Sequence, residues 1–141
     1  VRVYAESSAV LAWLLGDDPT GAVVRVLAEA ELVIASELTL LECERVLHRA
    51  VALGELDEAT AADRRAHLAQ MASHWHILTL GGDVLERARR PFPGEPVSTL
   101  HGLHLAAALV ARAAVTDLAL LSLDEELRSA GARLGLPLQP A

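Results

Sequence analysis

Short apolar runs alternate with helical stretches along the whole chain, and this alternation constrains the fold more than any other feature. Val1 to Ala5 is short, β-branched and aromatic, which predicts a buried strand. It ends at Glu6-Ser7-Ser8, where a hydroxyl can cap a helix over Ala9 to Leu15. Gly16-Asp17-Asp18-Pro19 breaks that helix, and Thr20 to Glu31 reads as the next one. Leu32 to Ala35 is a second strand. Ser36 then opens a helix with Leu38, Leu41, Val46 and Leu47 on its apolar side, interrupted at Gly54 near Val51. Asp57 to Ser73 is a helix, Trp75 to Leu80 a third strand, and Asp83 to Arg89 a short helix after Gly81-Gly82. Pro91-Phe92-Pro93-Gly94-Glu95-Pro96 is the clearest loop in the chain. Thr99 to Arg112 is a strongly apolar helix, Leu118 to Ser122 a fourth strand, Asp124 to Ala130 a helix, and Leu136 to Leu138 a short fifth strand.

Strands alternating with helices predict an α/β fold: a four- to five-stranded parallel sheet with helices on both faces, in three layers. The 141 residues suit one domain, residues 1–141. Aromatic residues make up only 3% of the chain, so Leu, Val, Ala and Ile must build the core. All twelve cations are arginine, and the net charge is -7. A protein that coats nucleic acid through non-specific phosphate contacts would be basic, so any such contact here is local and arginine-based. Cys43 stands alone, so no intrachain disulfide forms; it reads as a small buried hydrophobe, and a reducing cytoplasm is the expected setting. No apolar run reaches membrane-spanning length, and the start of the chain lacks a charged-then-apolar leader.

Ligands of open parallel sheets sit beyond the carboxyl ends of the strands. Glu6 follows the first strand and Asp124 the fourth, so both are aimed at that crevice. Glu42 lies in the helix after the second strand, in an apolar stretch that turns it toward the core side. His101 sits near the start of the apolar helix. Carboxylates brought close together repel one another, and a bound Mg²⁺ or Mn²⁺ relieves the repulsion. Such a cation activates a water and clamps phosphate oxygens, which is why a phosphodiesterase gathers acids from distant segments.

Four segments in order carry a family resemblance: Val3-Tyr4-Ala5-Glu6-Ser7-Ser8-Ala9, Ser36-Glu37-Leu38-Thr39-Leu40-Leu41-Glu42, Thr99-Leu100-His101-Gly102-Leu103-His104-Leu105-Ala106, and Leu121-Ser122-Leu123-Asp124-Glu125-Glu126-Leu127. Together they resemble the PIN domain family, and within it the toxins of VapBC toxin–antitoxin pairs. The resemblance implies a PIN-like fold and a metal-dependent endoribonuclease that dimerises and is inhibited by a cognate antitoxin. It implies metal-site roles for Glu6, Glu42 and Asp124, with Ser8 orienting the first carboxylate or a metal-bound water and Ser122 assisting near the fourth motif. Two positions depart from the family pattern: Glu6 stands where the family has Asp, and His101 where it has a third Asp. An imidazole suits a transition metal better than Mg²⁺, and it can equally cap the helix or hydrogen-bond there. Two readings follow. Either the site has changed metal preference and kept weak activity, or it is a degenerate module that retains antitoxin or RNA binding without cleavage. An unrelated Rossmann-like domain is disfavoured, because no Gly-rich phosphate loop follows the first strand.

Other polar residues have plainer expectations. Asp124 is also placed to cap its helix, and capping is compatible with metal binding. His104, among apolar neighbours, reads as structural, as do His74 and His76, which strand alternation would put on one face. Arg45 and Arg49 share a helix face and could meet RNA phosphates, or pair with acids such as Glu42; Arg87, Arg89 and Arg90 form a second cluster, with Glu86 as a partner. The helix Thr99 to Arg112 looks too apolar to face water on any side, which suggests association.

Overall fold

A computed structural model describes residues 1–141. Five parallel strands form one sheet in the order β3-β2-β1-β4-β5: β1 (Arg2–Ala5), β2 (Leu32–Ser36), β3 (His76–Leu78), β4 (Leu118–Leu121) and β5 (Leu138–Gln139). The expected α/β class with a parallel sheet is therefore the fold observed. The central strand β1 pairs with β2 on one side and β4 on the other, Tyr4 lying opposite both Ile34 and Leu120. Because successive connections leave β1 in opposite directions, a crevice opens beyond its carboxyl end, where such folds bind ligands.

Helices cover both faces. On one face Val3, Ala5, Val33, Ala35, Ala119 and Leu121 meet residues of α1 (Ser7–Leu15), α2 (Ala22–Glu29), α3 (Glu37–Ala52) and α4 (Glu58–Ala72). On the other, Tyr4, Ile34, Leu118 and Leu120 meet α5 (Gly82–Ala88), α6 (Thr99–Ala114) and α7 (Glu125–Arg133). Strand residues alternate between the two cores because successive side chains point to opposite faces. Both faces are covered, so the central strands β1, β2 and β4 are almost wholly apolar, with Arg2 and Ser36 at their ends, the pattern of a parallel sheet buried on both faces.

Several boundaries differ from the expected ones. α1 begins at Ser7, not Ala9, with Glu6 itself at the N-cap position. α2 is two residues shorter at each end than the expected Thr20 to Glu31: Gly21 at its N-cap takes a left-handed conformation (φ 66°), and Ala30 at its C-cap is already extended. α3 runs unbroken to Ala52, and Gly54 lies past its end. β3 contracts to three residues because only that length pairs with β2, leaving His74 in the preceding turn. β5 shifts to Leu138–Gln139, since Leu136 turns into the core while Leu138 pairs with Leu120. The apolar helix α6 is absorbed within the domain: Leu105, Ala106, Ala107 and Ala108 are fully buried. Leu100 in its first turn stays half exposed. No helix is long and apolar enough to cross a membrane.

One hydrogen bond ties α3 to the strand end where the crevice opens. Thr39 Oγ1 donates to the Ala5 carbonyl at 2.9 Å, and both residues are buried. Thr39→Val keeps the shape and removes the donor, so it is expected to lower unfolding stability by about 1 kcal/mol. Urea denaturation monitored by circular dichroism checks this, and an unchanged midpoint would count against the tie.

Candidate active site

The parallel topology brings the N-termini of α1, α3 and α7 to the carboxyl ends of β1, β2 and β4. Their dipoles make that rim favourable for negative charge, which is where the acids stand. The backbone N–H of Glu6 donates to the Leu121 carbonyl (3.0 Å), continuing the β1–β4 pairing by one residue and holding the side chain at the crevice. Only 5% of Glu6 is exposed. Its Oε2 accepts from the hydroxyls of Ser8 (2.5 Å) and Ser122 (2.7 Å). Ser8 Oγ in turn accepts from the Leu123 N–H (2.8 Å), and Ser122 Oγ accepts from the Asp124 N–H (3.1 Å). One compact network thus joins the first and fourth motifs. Within it, Asp124 Oδ1 caps α7 by accepting from the Leu127 N–H (2.9 Å).

The second motif is held by a different set of partners. Glu42 Oε1 accepts from Ser7 Oγ (2.6 Å) and from His104 Nε2 (2.5 Å). His104 is 1% exposed, and its Nδ1 lies 2.9 Å from the Tyr4 hydroxyl, which lies 2.9 Å from Ser36 Oγ. A buried chain Ser36–Tyr4–His104–Glu42 therefore runs from β2 through β1 and α6 to the crevice, with Ser7 at its end. The adjacent serines of the first motif serve opposite sides, Ser7 toward Glu42 and Ser8 toward Glu6. Burial pushes the Glu42 carboxyl upward, but the His104 and Ser7 hydrogen bonds and the charges of His104 and His101 outweigh it. The net result lies below the ordinary glutamate range. Burial also pushes the Tyr4 hydroxyl far up, so it stays neutral and can only donate or accept a hydrogen bond.

His101 stands in the first turn of α6, where Ser98 Oγ accepts from its backbone N–H (3.3 Å). Its Nε2 lies 3.5 Å from Asp124 Oδ2, and its Nδ1 lies 3.8 Å from Glu126 Oε2. His101 thus stands between two carboxylates, one on each side of its ring.

Glu6, Glu42, His101 and Asp124 thus gather at one end of the sheet, yet no three acidic, imidazole or thiol side chains form a group able to hold a metal directly. Each member of the expected trio has its own hydrogen-bond partners: Glu6 the two serines, Glu42 Ser7 and His104, and Asp124 the Leu127 N–H. The donor chemistry does suit a hydrated Mg²⁺ or Mn²⁺, which is commonly held by one or two carboxylates and several waters. Glu6 Oε1 and Glu42 Oε2 have no protein partner, and neither is a buried unsatisfied atom, so both reach solvent. Each acid is anchored through one oxygen and offers the other.

Two contributors escaped sequence reasoning. Ser7 was passed over beside Ser8, and His104 was read as structural only. A signal for His104 existed: it lies one helical turn beyond His101 on the same side of α6. Arg45 and Arg49 are exposed on α3 and make no ion pair or side-chain hydrogen bond, so the suggested pairing with Glu42 is not formed. Arg89 does approach Glu86 (3.9 Å), and the Arg87 guanidinium lies over the Phe92 ring at 4.3 Å.

The sequence profile of the PIN domain family matches residues 3–132. No curated protein sequence matches the chain significantly. Among solved structures, FitAcB from Neisseria gonorrhoeae aligns with a TM-score of 0.73 at 16% identity, over 97% of this chain and 96% of that one. VapC20 of Mycobacterium tuberculosis, described as a sarcin-ricin loop cleaving toxin, aligns with a TM-score of 0.67 at 17% identity, over 92% and 95%. VapBC2 from Rickettsia felis, solved bound to promoter DNA, aligns with a TM-score of 0.64 at 9% identity, over 99% and 98%. At these identities the likeness is one of fold.

Proposed function

Since the chain belongs to the PIN domain family, we propose that it is the toxin-type endoribonuclease of a type II toxin–antitoxin pair and hydrolyses RNA phosphodiesters at the acidic crevice. The observation that carries this reading is the anchoring pattern. Glu6 and Glu42 are each fixed through one oxygen and leave the other free at the rim. Simple surface acids have no need of buried serine, tyrosine and histidine partners. VapC20, which shares the fold, is itself a cleaving toxin.

Glu6, Glu42 and Asp124 would hold a hydrated Mg²⁺ or Mn²⁺, which when bound supplies an activated water and charge neutralisation at the phosphate. Ser8 and Ser122 fix the Glu6 rotamer, which matters because its extra methylene, relative to aspartate, would otherwise let the carboxylate wander. His104 and Ser7 keep Glu42 ionised and oriented. The helix N-termini at the rim favour the approach of a phosphate. Arg45 and Arg49, exposed and unpaired on α3, are available to RNA phosphates outside the crevice. The reading includes a cognate antitoxin as inhibitor, a homodimer as the assembled form and the cytoplasm as the setting.

The His101–Asp124 contact (3.5 Å) favours a second reading, in which the imidazole masks Asp124 and the domain binds antitoxin or RNA without cutting. A cleavage assay on single-stranded RNA separates the two. The first reading expects cleavage with Mg²⁺ or Mn²⁺, its loss in chelator, and its loss in Asp124→Asn. Inactive wild type beside an active Glu6→Asp/His101→Asp double variant would establish the second.

A further inference from the structure

Beside the acidic crevice lies a cavity of about 450 Å³ between the proline-rich loop and α7. His101 is the shared wall: its Nε2 faces Asp124 of the crevice, and its Nδ1 faces Glu126 of the cavity. The volume falls within the range of small-molecule pockets.

The loop side of this cavity is built and braced. The Glu95 carboxylate accepts from the N–H groups of Phe92 (2.8 Å) and Val97 (2.6 Å), clasping the loop on itself. Phe92 is buried as its anchor and packs against Gly102 of α6. Pro93, Pro96 and Val97 then present rigid apolar surface to the cavity. The opposite wall is α7, which contributes Glu126, Ala130 and Arg133 among others. Glu126 and Arg133 are seven residues apart, so they stand about 10 Å apart along the helix axis. One end of the slot thus carries a hydrogen-bond acceptor and the other a donor fork. Arg133 makes no ion pair or hydrogen bond of its own, and its guanidinium lies against the loop at Gly94. The left-handed backbone at Gly94 (φ +84°) favours glycine, and the Arg133 guanidinium end occupies the space a Cβ would take.

We propose that this slot is a base-recognition subsite for guanine in single-stranded RNA, next to the phosphate presented to the acids. This rests on the ribonuclease reading above. Pro93, Pro96 and Val97 from the loop and Ala130 from α7 give apolar surface on which a planar ring can stack. Guanine carries acceptors, O6 and N7, on one edge and N–H donors on another, matching an arginine and a carboxylate at opposite ends. Adenine has an acceptor and a donor side by side and lacks that separation. Unstacked bases read on their edges are the usual means of sequence recognition in single-stranded RNA.

The test is titration of ¹⁵N-labelled protein with GMP, AMP, CMP and UMP in chelator, followed by NMR. GMP is expected to shift resonances of α7 and of residues 93–97, and to bind about tenfold tighter than the others. Arg133→Ala and Glu126→Gln alter surface side chains outside the cores, and each is expected to weaken GMP binding about tenfold. Equal response to the four nucleotides, no shifts at the slot, or GMP binding unchanged in Arg133→Ala would overturn the proposal. An arginine-containing peptide that shifts the slot where GMP does not would also overturn it, in favour of a protein partner. Mapping cleavage sites keeps the two readings apart. GMP-selective binding without cleavage by any variant leaves the slot standing and removes the ribonuclease. Cleavage with no guanine preference beside the cut removes the slot alone.

Discussion

Replacing His104 by alanine is expected to lower unfolding stability by about 3 kcal/mol, the sum of a buried side-chain deletion and broken hydrogen bonds. His104 is almost fully buried, and its ring connects Tyr4 to Glu42. Without it Glu42 keeps only the Ser7 hydroxyl, and Tyr4 keeps only Ser36. Apolar His104→Leu fills the space but still removes one hydrogen bond from each partner, whereas His104→Gln restores a donor toward Glu42. The expected order of urea midpoints is therefore wild type, Gln, Leu, Ala. A loss under about 1 kcal/mol for alanine would show that the chain of hydrogen bonds contributes little.

The same contact sets a pH dependence. The Glu42 carboxyl is held below the ordinary glutamate value of 4.5 in the folded protein. The unfolded chain therefore takes up the proton first as pH falls. The stability this carboxylate contributes is complete above the unfolded value and disappears as pH drops through the folded one. Wild type should lose stability relative to Glu42→Gln in the window below pH 4.5. Parallel curves for the two proteins across that window would refute the assignment.

Replacing Glu6 by alanine is expected to lower the rate of RNA cleavage at least about a hundredfold, with little change in RNA affinity, because it removes the acid on which the first and fourth motifs converge. Ser8 and Ser122 both donate to Glu6 Oε2, so the substitution also frees the two hydroxyls that define that side of the crevice. Ser122 is fully buried and would lose one partner, so a modest stability loss should accompany the kinetic one. Glu6→Asp is the informative companion: it restores the family's acid but draws the carboxylate back from both serines. If the alanine variant cuts RNA at the wild-type rate, the acid has no part in the chemistry.

Much of the frame is legible in the sequence. The alternation of apolar runs with helices announced a parallel sheet, and strand exits at Glu6 and Asp124 pointed to the crevice, because side chains following a parallel strand must emerge at its carboxyl end. Asp124 as a helix cap was readable from its place before Glu125–Arg133. Boundaries were less legible. Leu78 and Leu80 look alike in sequence, and only pairing with β2 decides where the strand stops.

The residues and their order determined the class of fold, the central strands buried on both faces, and which acids lie near one rim. These follow from local periodicity and from the geometry common to all parallel sheets. Tertiary structure alone decided what each acid is bonded to. His104 meets Glu42 across 62 positions, and Ser122 meets Glu6 across 116. No periodicity reports on such pairs, since they depend on how helices dock against both faces of the sheet. The same docking set His101 beside Asp124 and opened the neighbouring cavity against the proline-rich loop.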